Sequence, residues 1–182
     1  MSEILPWVRK ASKMLVDCRV FTVNESTSIS PRTGNEHNFY YIGTSDWVNV
    51  VPITVDDKVV FVRQFRHGSE QISLEIPGGM VDSGEDPLNA AVRECLEESG
   101  YQAKDVASLG VLNPNPALFP NKLHTFVARQ CEAISEISNT STEHTEVQLI
   151  PISDLPQILK SGLIDHALVA ATLWRLLYFD SR

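Results

Sequence analysis

The run from Gly78 to Tyr101 constrains this chain more than any other part of it, because it fixes the start, the stop and both faces of one helix. Asp86 is a suitable N-cap, and Pro87 stands at the first helical position, where a missing N–H costs nothing. Gly100 supplies a left-handed stop, so a helix is predicted over residues 86–99. At about 100° per residue, Leu88, Ala91, Val92, Cys95 and Leu96 share an arc that reads as the core face, and Arg93, Glu97, Glu94 and Glu98 follow around the other side. An acidic helix face is ordinarily a solvated surface. Here Glu94 and Glu98 are four residues apart with Glu97 beside them and only Arg93 as a neighbour, so like charges repel across one patch. A hard divalent cation relieves that repulsion, because Mg²⁺ accepts a few carboxylates and fills its other positions with water and phosphate oxygens. The pair Gly78-Gly79 would let the backbone approach such an ion and offer a carbonyl as a further ligand.

Composition narrows what that site can serve. With 43% hydrophobic and 21% charged residues among 182, the chain has enough apolar surface for one core, which excludes a low-complexity or largely disordered chain. Fifteen Lys+Arg against 23 Asp+Glu leave a net charge of -8, the wrong sign for an electrostatic grip on extended nucleic acid. Small anionic ligands stay open, since a bound cation reverses the local field. Cys18, Cys95 and Cys131 are an odd count without a CxxC pair, which argues against a disulfide framework or a tetrahedral zinc site and fits a reducing compartment. The opening Met-Ser-Glu-Ile-Leu-Pro lacks a basic stretch followed by an apolar core, so no export signal is expected. The longest strongly apolar run, residues 167–179, is broken by Thr172 and Arg175 and is too short to span a bilayer. The expectation is a cytoplasmic enzyme or binding protein with no membrane attachment.

Patterning around the helix is β-rich. Strands are predicted at residues 14–23, 39–43 and 47–55, with a turn at 30–35, and at 58–64, where Val59, Val60, Phe61 and Val62 are too continuously apolar for a strand with one wet face. That strand should be central. Further strands are predicted at 106–112, 122–128 and 146–151. Two helices close the chain, one at 153–160 stopped by Gly162, the other starting near Asp165 as N-cap.

The pattern Gly79, five residues, Glu85, seven residues, Arg93-Glu94-Cys95-Leu96-Glu97-Glu98-Ser99-Gly100-Tyr101 resembles the Nudix box of the Nudix hydrolase family. Cys95 stands where the family usually has Leu, Ile or Val, and packs as a small hydrophobe; a buried core thiol is the expectation. Val62-Arg63-Gln64-Phe65-Arg66 and Leu74-Glu75-Ile76-Pro77-Gly78-Gly79 are similar to the ADP-ribose pyrophosphatase and nucleoside-diphosphate-sugar branch, with Gly78-Gly79 replacing the usual Ala-Gly. The resemblance implies an α/β fold, an α/β/α sandwich with a mixed sheet over residues 46–182. A β-rich N-terminal extension, residues 1–45, would precede it and serve dimerisation in a homodimer. It further implies Mg²⁺-dependent hydrolysis of a nucleoside diphosphate sugar, ADP-ribose or a relative, to a nucleoside monophosphate and a sugar phosphate, with Mn²⁺ able to substitute. The alternatives are a housecleaning or RNA 5′-end pyrophosphohydrolase, which the charge disfavours, and a non-catalytic Nudix-fold ligand sensor, which would need a broken box.

Carried over by position, the resemblance makes Glu94, Glu98 and the Gly78 carbonyl metal ligands, with Glu97 a ligand directly or through water. Arg93 would orient the carboxylates and Glu85 would support the loop and helix. A base is expected from a later loop: Glu143 first, Glu146 second as the more strand-like, and His144 a third choice by its intrinsic pKa. Arg66 either holds a phosphate bidentately or pairs with Glu70 or Glu75. The resemblance places the rigid segment 113–121, with Asn115, beside the terminal sugar. Glu75 is counted with the substrate-binding residues, and Trp47 and Phe39 either stack a base or belong to the core.

Overall fold

The computed structural model describes residues 3–180, with the side chains of Phe179 and Asp180 excepted. Met1 and Ser2, part of the opening read for an export signal, lie outside the described residues. The chain divides into two compact units: the first runs up to Ser45 and includes Asn113–Asn121, and the second comprises Asp46–Leu112 and the residues from Lys122 onward.

The first unit is an antiparallel sheet, β1 (Val8–Asp17), β2 (Thr22–Ile29) and β3 (Glu36–Gly43), in that order. The predicted strand at 14–23 is therefore not one strand, because the chain reverses within it. Asp17 accepts from the Arg19 backbone N–H at 2.8 Å, Arg19 takes a positive φ of 69°, and Cys18 N–H donates to the Phe21 carbonyl. An Asp bonding its own chain two residues on is a turn signal that the apolar flanks concealed. Strand β2 escapes prediction because most of its residues are Thr, Ser, Asn and Glu, and its order comes from pairing on both sides. The 30–35 turn forms as expected, closed by Ser30 N–H to Asn35 O.

In the second unit, β4 (Trp47–Thr54), β5 (Lys58–Arg66), β6 (Gln71–Glu75), β7 (Gly78–Met80), β8 (Tyr101–Leu112), β9 (Leu123–Ala133) and β10 (Thr145–Pro151) make one sheet. Its order is β10-β5-β4-β9-β8, with β6 paired to β5 and β7 to β4. Only β4 and β9 run parallel among these pairs, so the sheet is mixed. Three helices cover it: α1 (Pro87–Ser99), α2 (Leu155–Ser161) and α3 (Ala167–Asp180).

Side-chain alternation along β4 sorts two cores. Val48 and Val50 pack with Ala90, Ala91 and Cys95 of α1, whereas Val51 and Ile53 pack with Leu155 of α2 and Leu173 and Leu176 of α3. The sheet is thus buried on both faces, giving the expected α/β/α sandwich. Strand β5 sits between β10 and β4, and Val59, Val60, Phe61 and Val62 are all fully buried, as their unbroken apolar run required. Among the described residues no helix is long and apolar enough to cross a membrane, and the three cysteines are free, Cys18 exposed and the other two buried.

Candidate active site

Helix α1 begins and ends as its punctuation dictates. Asp86 accepts from the Leu88 backbone N–H at 2.9 Å, and Gly100, at φ 74°, returns its N–H to the Leu96 carbonyl. Its buried stripe, however, is rotated from the predicted arc: Leu88 is exposed, and Ala90, Ala91, Cys95, Glu98 and Ser99 are buried. The helix therefore turns one of its own carboxylates inward. Glu98 keeps 8% of its surface, and one oxygen accepts from the Gly78 backbone N–H at 2.9 Å. Burial pushes its pKa up to about 8 against that hydrogen bond, with Glu94 adding repulsion. Glu94 is displaced upward for the same first reason, and Arg93 opposes the shift. The Cys95 thiol is pushed up to about 12, chiefly by desolvation, and is fully buried in the core, as expected.

Arg93 is the hub of this patch. Its guanidinium donates through Nε and Nη2 to Glu85 at 3.0 Å each, through Nη1 to Glu94 at 2.8 Å and Glu97 at 3.1 Å, and through Nη2 to the Met80 carbonyl. One cation thus aligns three carboxylates and ties α1 to the strand β7. That strand pairs with β4, Gly78 opposite Asn49 and Gly79 opposite Val48. A Cβ on Gly78 would overlap the Val48 carbonyl oxygen, so the backbone beside it requires a glycine, and one on Gly79 would overlap the Glu94 carboxylate, so that glycine keeps room for the side chain.

Among the described residues no three Asp, Glu, His or Cys side chains converge enough to hold a metal ion unaided. Two carboxylates in a low-dielectric setting, next to a side-chain-free backbone strand, nevertheless suit a hard divalent cation that draws its remaining ligands from carbonyl, water and phosphate. Glu97 is half-exposed, with its carboxylate on Arg93.

Beside Gly78 and Gly79 opens a cavity of about 300 Å³, whose walls include Trp47, Arg66, Glu75 and His166. Trp47 is the first residue of β4, opposite Met80 on one side and Leu123 on the other. Glu75 is 2% exposed and takes a two-pronged ion pair from Arg66, Nε to Oε1 at 2.7 Å and Nη2 to Oε2 at 2.6 Å. Burial opposes its ionisation, but that pair prevails and holds the carboxyl below the usual range. Of the two partners weighed for Arg66, Glu75 is the one engaged, and a guanidinium fixed there still faces the cavity.

Further along, the loop before β10 is stapled to the end of α1. Thr145 Oγ1 donates to the Glu98 carbonyl at 2.7 Å, and Ser138 N–H donates to the Glu97 carbonyl at 2.9 Å. This sets Glu143 where its charge raises the pKa of both Glu94 and Glu98, and in a groove shared with Arg66 and His144. Its own carboxylate accepts from Thr140. Glu146 is one residue beyond Thr145, so strand alternation turns it away from α1; it stands opposite Arg63, 3.9 Å away and exposed.

Two expected contributors belong to the first unit. Asn115 is committed to its own loop, its carbonyl accepting from Leu118 and Phe119 and its side chain from Ala117. Phe39 packs edge-on against Trp7, with centroids 5.1 Å apart. His166 was not anticipated. The cap of α3 was expected at Asp165, yet Nδ1 of His166 accepts the Val169 backbone N–H at 3.4 Å. A lone histidine ahead of an apolar helix gives no sequence signal of a site.

Residues 45–171 match the NUDIX domain family. ADP-ribose pyrophosphatase of Bacillus subtilis (strain 168) is 30% identical over 124 residues, covering 68% of this chain and 67% of that one. ADP compounds hydrolase NudE of Escherichia coli (strain K12) is 38% identical over 82 residues, 45% of this chain and 44% of that one. A crystal structure of an ADP compounds hydrolase superposes with a TM-score of 0.86 over 98% of this chain and 96% of that chain, at 24% sequence identity, a likeness of fold.

Proposed function

Because the chain belongs to the NUDIX domain family and is a hydrolase of it, we propose that it cleaves the pyrophosphate bond of a nucleoside diphosphate sugar, ADP-ribose or a close relative. The products are a nucleoside monophosphate and a sugar phosphate. The observation that carries this reading is the junction at Gly78-Gly79. Its backbone touches Glu98, closely approaches Glu94, and lines the same cavity as Arg66. A diphosphate seated there meets a fixed cation on one side and paired carboxylates on the other.

Glu94, Glu98 and the Gly78 carbonyl would hold Mg²⁺, with Glu97 as a further ligand directly or through water. When bound, the ion supplies Lewis-acid polarisation of the diphosphate and offsets its charge. Arg93 keeps Glu94 and Glu97 aligned, and Glu85 anchors Arg93 in turn. Arg66 binds a phosphate oxygen while Glu75 fixes its plane. Glu143 accepts the proton of the attacking water, a role supported by its loop being tied to the last turn of α1; Glu146 faces Arg63 instead. We further read the protein as a homodimer joined through the first unit, supported by a β1 strand that is exposed along its whole length.

The test is a panel of ADP-ribose, other nucleoside diphosphate sugars, dinucleoside polyphosphates, NADH, nucleoside triphosphates and 5′-triphosphate RNA, assayed with Mg²⁺. ADP-ribose or a nucleoside diphosphate sugar should be hydrolysed best, to a monophosphate and a sugar phosphate. Preference for triphosphates or RNA ends would contradict the reading, as would binding without turnover.

A further inference from the structure

Glu75 and His166 reach the cavity from different elements, β6 and the start of α3, and Nε2 of His166 stands 3.9 Å from Oε2 of Glu75. That gap is too long for a hydrogen bond. It is short enough for one ligand oxygen to lie at ordinary bonding distance from both atoms. The protonation of the pair follows from its surroundings. A backbone N–H can only donate, so Nδ1, which receives Val169 N–H, carries no proton, and the neutral ring has its hydrogen on Nε2. Glu75, gripped by Arg66 through both oxygens, is a carboxylate with acceptor capacity and no proton to give. A donor and an acceptor therefore converge on one point. A phosphate oxygen placed there would meet the carboxylate with like charge, and an amide N–H would leave the histidine donor unmatched. A hydroxyl satisfies both groups, donating to Glu75 and accepting from His166. Around this polar point the cavity is bounded by Trp47, Leu123 and Leu168, walls suited to the carbon face of a ring.

We infer that Glu75 and His166 together form a sugar-hydroxyl recognition point, with His166 as a specificity-determining residue that no part of the glycine and glutamate pattern from Gly79 to Tyr101 announces. The inference rests on the nucleoside diphosphate sugar reading. Where the hydroxyl read is that of the terminal sugar, it adds a reason why a sugar, and not any diphosphate ester, is preferred. Arg66 joins the two functions, since the guanidinium that clamps Glu75 also faces the cavity that would take the diphosphate.

The experiment compares kcat/KM of the full-length wild type and His166→Asn on three substrates: ADP-ribose, its 2′,3′-dideoxyadenosine counterpart, and an ADP alkyl ester with no terminal sugar. Asparagine is a good N-cap, so its side-chain oxygen can still receive the Val169 N–H while lacking the reach of Nε2. For the wild type, removing the recognised hydroxyl should lower kcat/KM at least about tenfold, since a site built to bond a hydroxyl leaves its groups unpaired without one. His166→Asn should lose about the same factor on ADP-ribose, mainly in KM. It should lose nothing on the one analogue that lacks that hydroxyl, and this arm identifies which sugar is read. An equal loss on all three substrates would overturn the inference, as would a wild type that treats both analogues within about twofold of ADP-ribose; the latter result does not depend on how the variant folds. A wild type that hydrolyses none of the three would instead overturn the functional reading itself, and this inference with it.

Discussion

Glu98 is asked to be a buried group and a charged one, and the conflict makes it sensitive to pH. In the metal-free protein its pKa stands near 8, above the ordinary glutamate value of about 4.3 in an unfolded chain. Between those values the folded state binds the proton and the unfolded state does not, so stability falls as pH rises through that window and levels off above it. Thermal melts in EDTA from pH 5 to 8.5 should show this decline, and Glu98→Gln, which cannot ionise, should flatten it; equal slopes in both proteins would contradict the assignment. The base is a second question at this scale. Glu143→Gln should lower kcat by about 10² to 10⁴ with little change in KM, while Glu146→Gln, removed from a half-solvated pair with Arg63, should stay near the wild-type rate. The reverse pattern would shift the base by three residues. The acidic patch was legible in the sequence because Glu94, Glu97 and Glu98 repeat at helical spacing and repel one another. His166 was not, since what makes it notable is a distance to Glu75 across the fold, and no local pattern encodes that.

At the level of elements, the three-residue strand β7 decides how α1 and β4 approach each other, and its two glycines fail differently when substituted. A methyl group at Gly78 meets the backbone of β4, which cannot step aside, so Gly78→Ala should lower Tm by several degrees. At Gly79 the obstacle is the Glu94 side chain, which can rotate, so Gly79→Ala should keep its Tm and lose activity. Differential scanning calorimetry beside a turnover assay checks the contrast, and equal effects on Tm would refute it. Both ends of α1 could be read from Asp86, Pro87 and Gly100, because caps are local chemistry. Strands β6 and β7 could not. Each is too short to show alternation, and each is held by a partner far along the chain, β6 by β5 and β7 by β4. The buried stripe of α1 was misread for a related reason: a wheel ranks hydrophobicity, while the fold spends an inward position on Glu98 to reach Gly78.

For the molecule as a whole, the first unit exposes Val8, Met14, Leu15 and Val16 of β1 together with Phe39 and Tyr40 of β3, more apolar surface than a lone sheet usually leaves in water. If this surface joins two copies, light scattering should give twice the chain mass, and Met14→Lys with Val16→Lys should halve it; a wild-type monomer at tens of micromolar would contradict the dimer. Strands and helices of the second unit were legible from apolar runs and helix caps, and their sandwich arrangement from the family resemblance alone, whereas β2, polar and ordered by its neighbours, was not. The central claim, that the carboxylates of α1 serve hydrolysis of a nucleoside diphosphate sugar, is tested most directly by one comparison: kcat/KM on ADP-ribose with saturating Mg²⁺ for the wild type and for Glu98→Gln. The amide oxygen of the variant can still receive the Gly78 N–H, so the fold is spared while a charged ligand is lost. Since Lewis-acid assistance is worth several kcal/mol and each 1.36 kcal/mol is tenfold, the expected result is a fall of about 10² or more in a protein with an unchanged circular dichroism spectrum. A variant that hydrolyses ADP-ribose within a few-fold of the wild-type rate would contradict the claim.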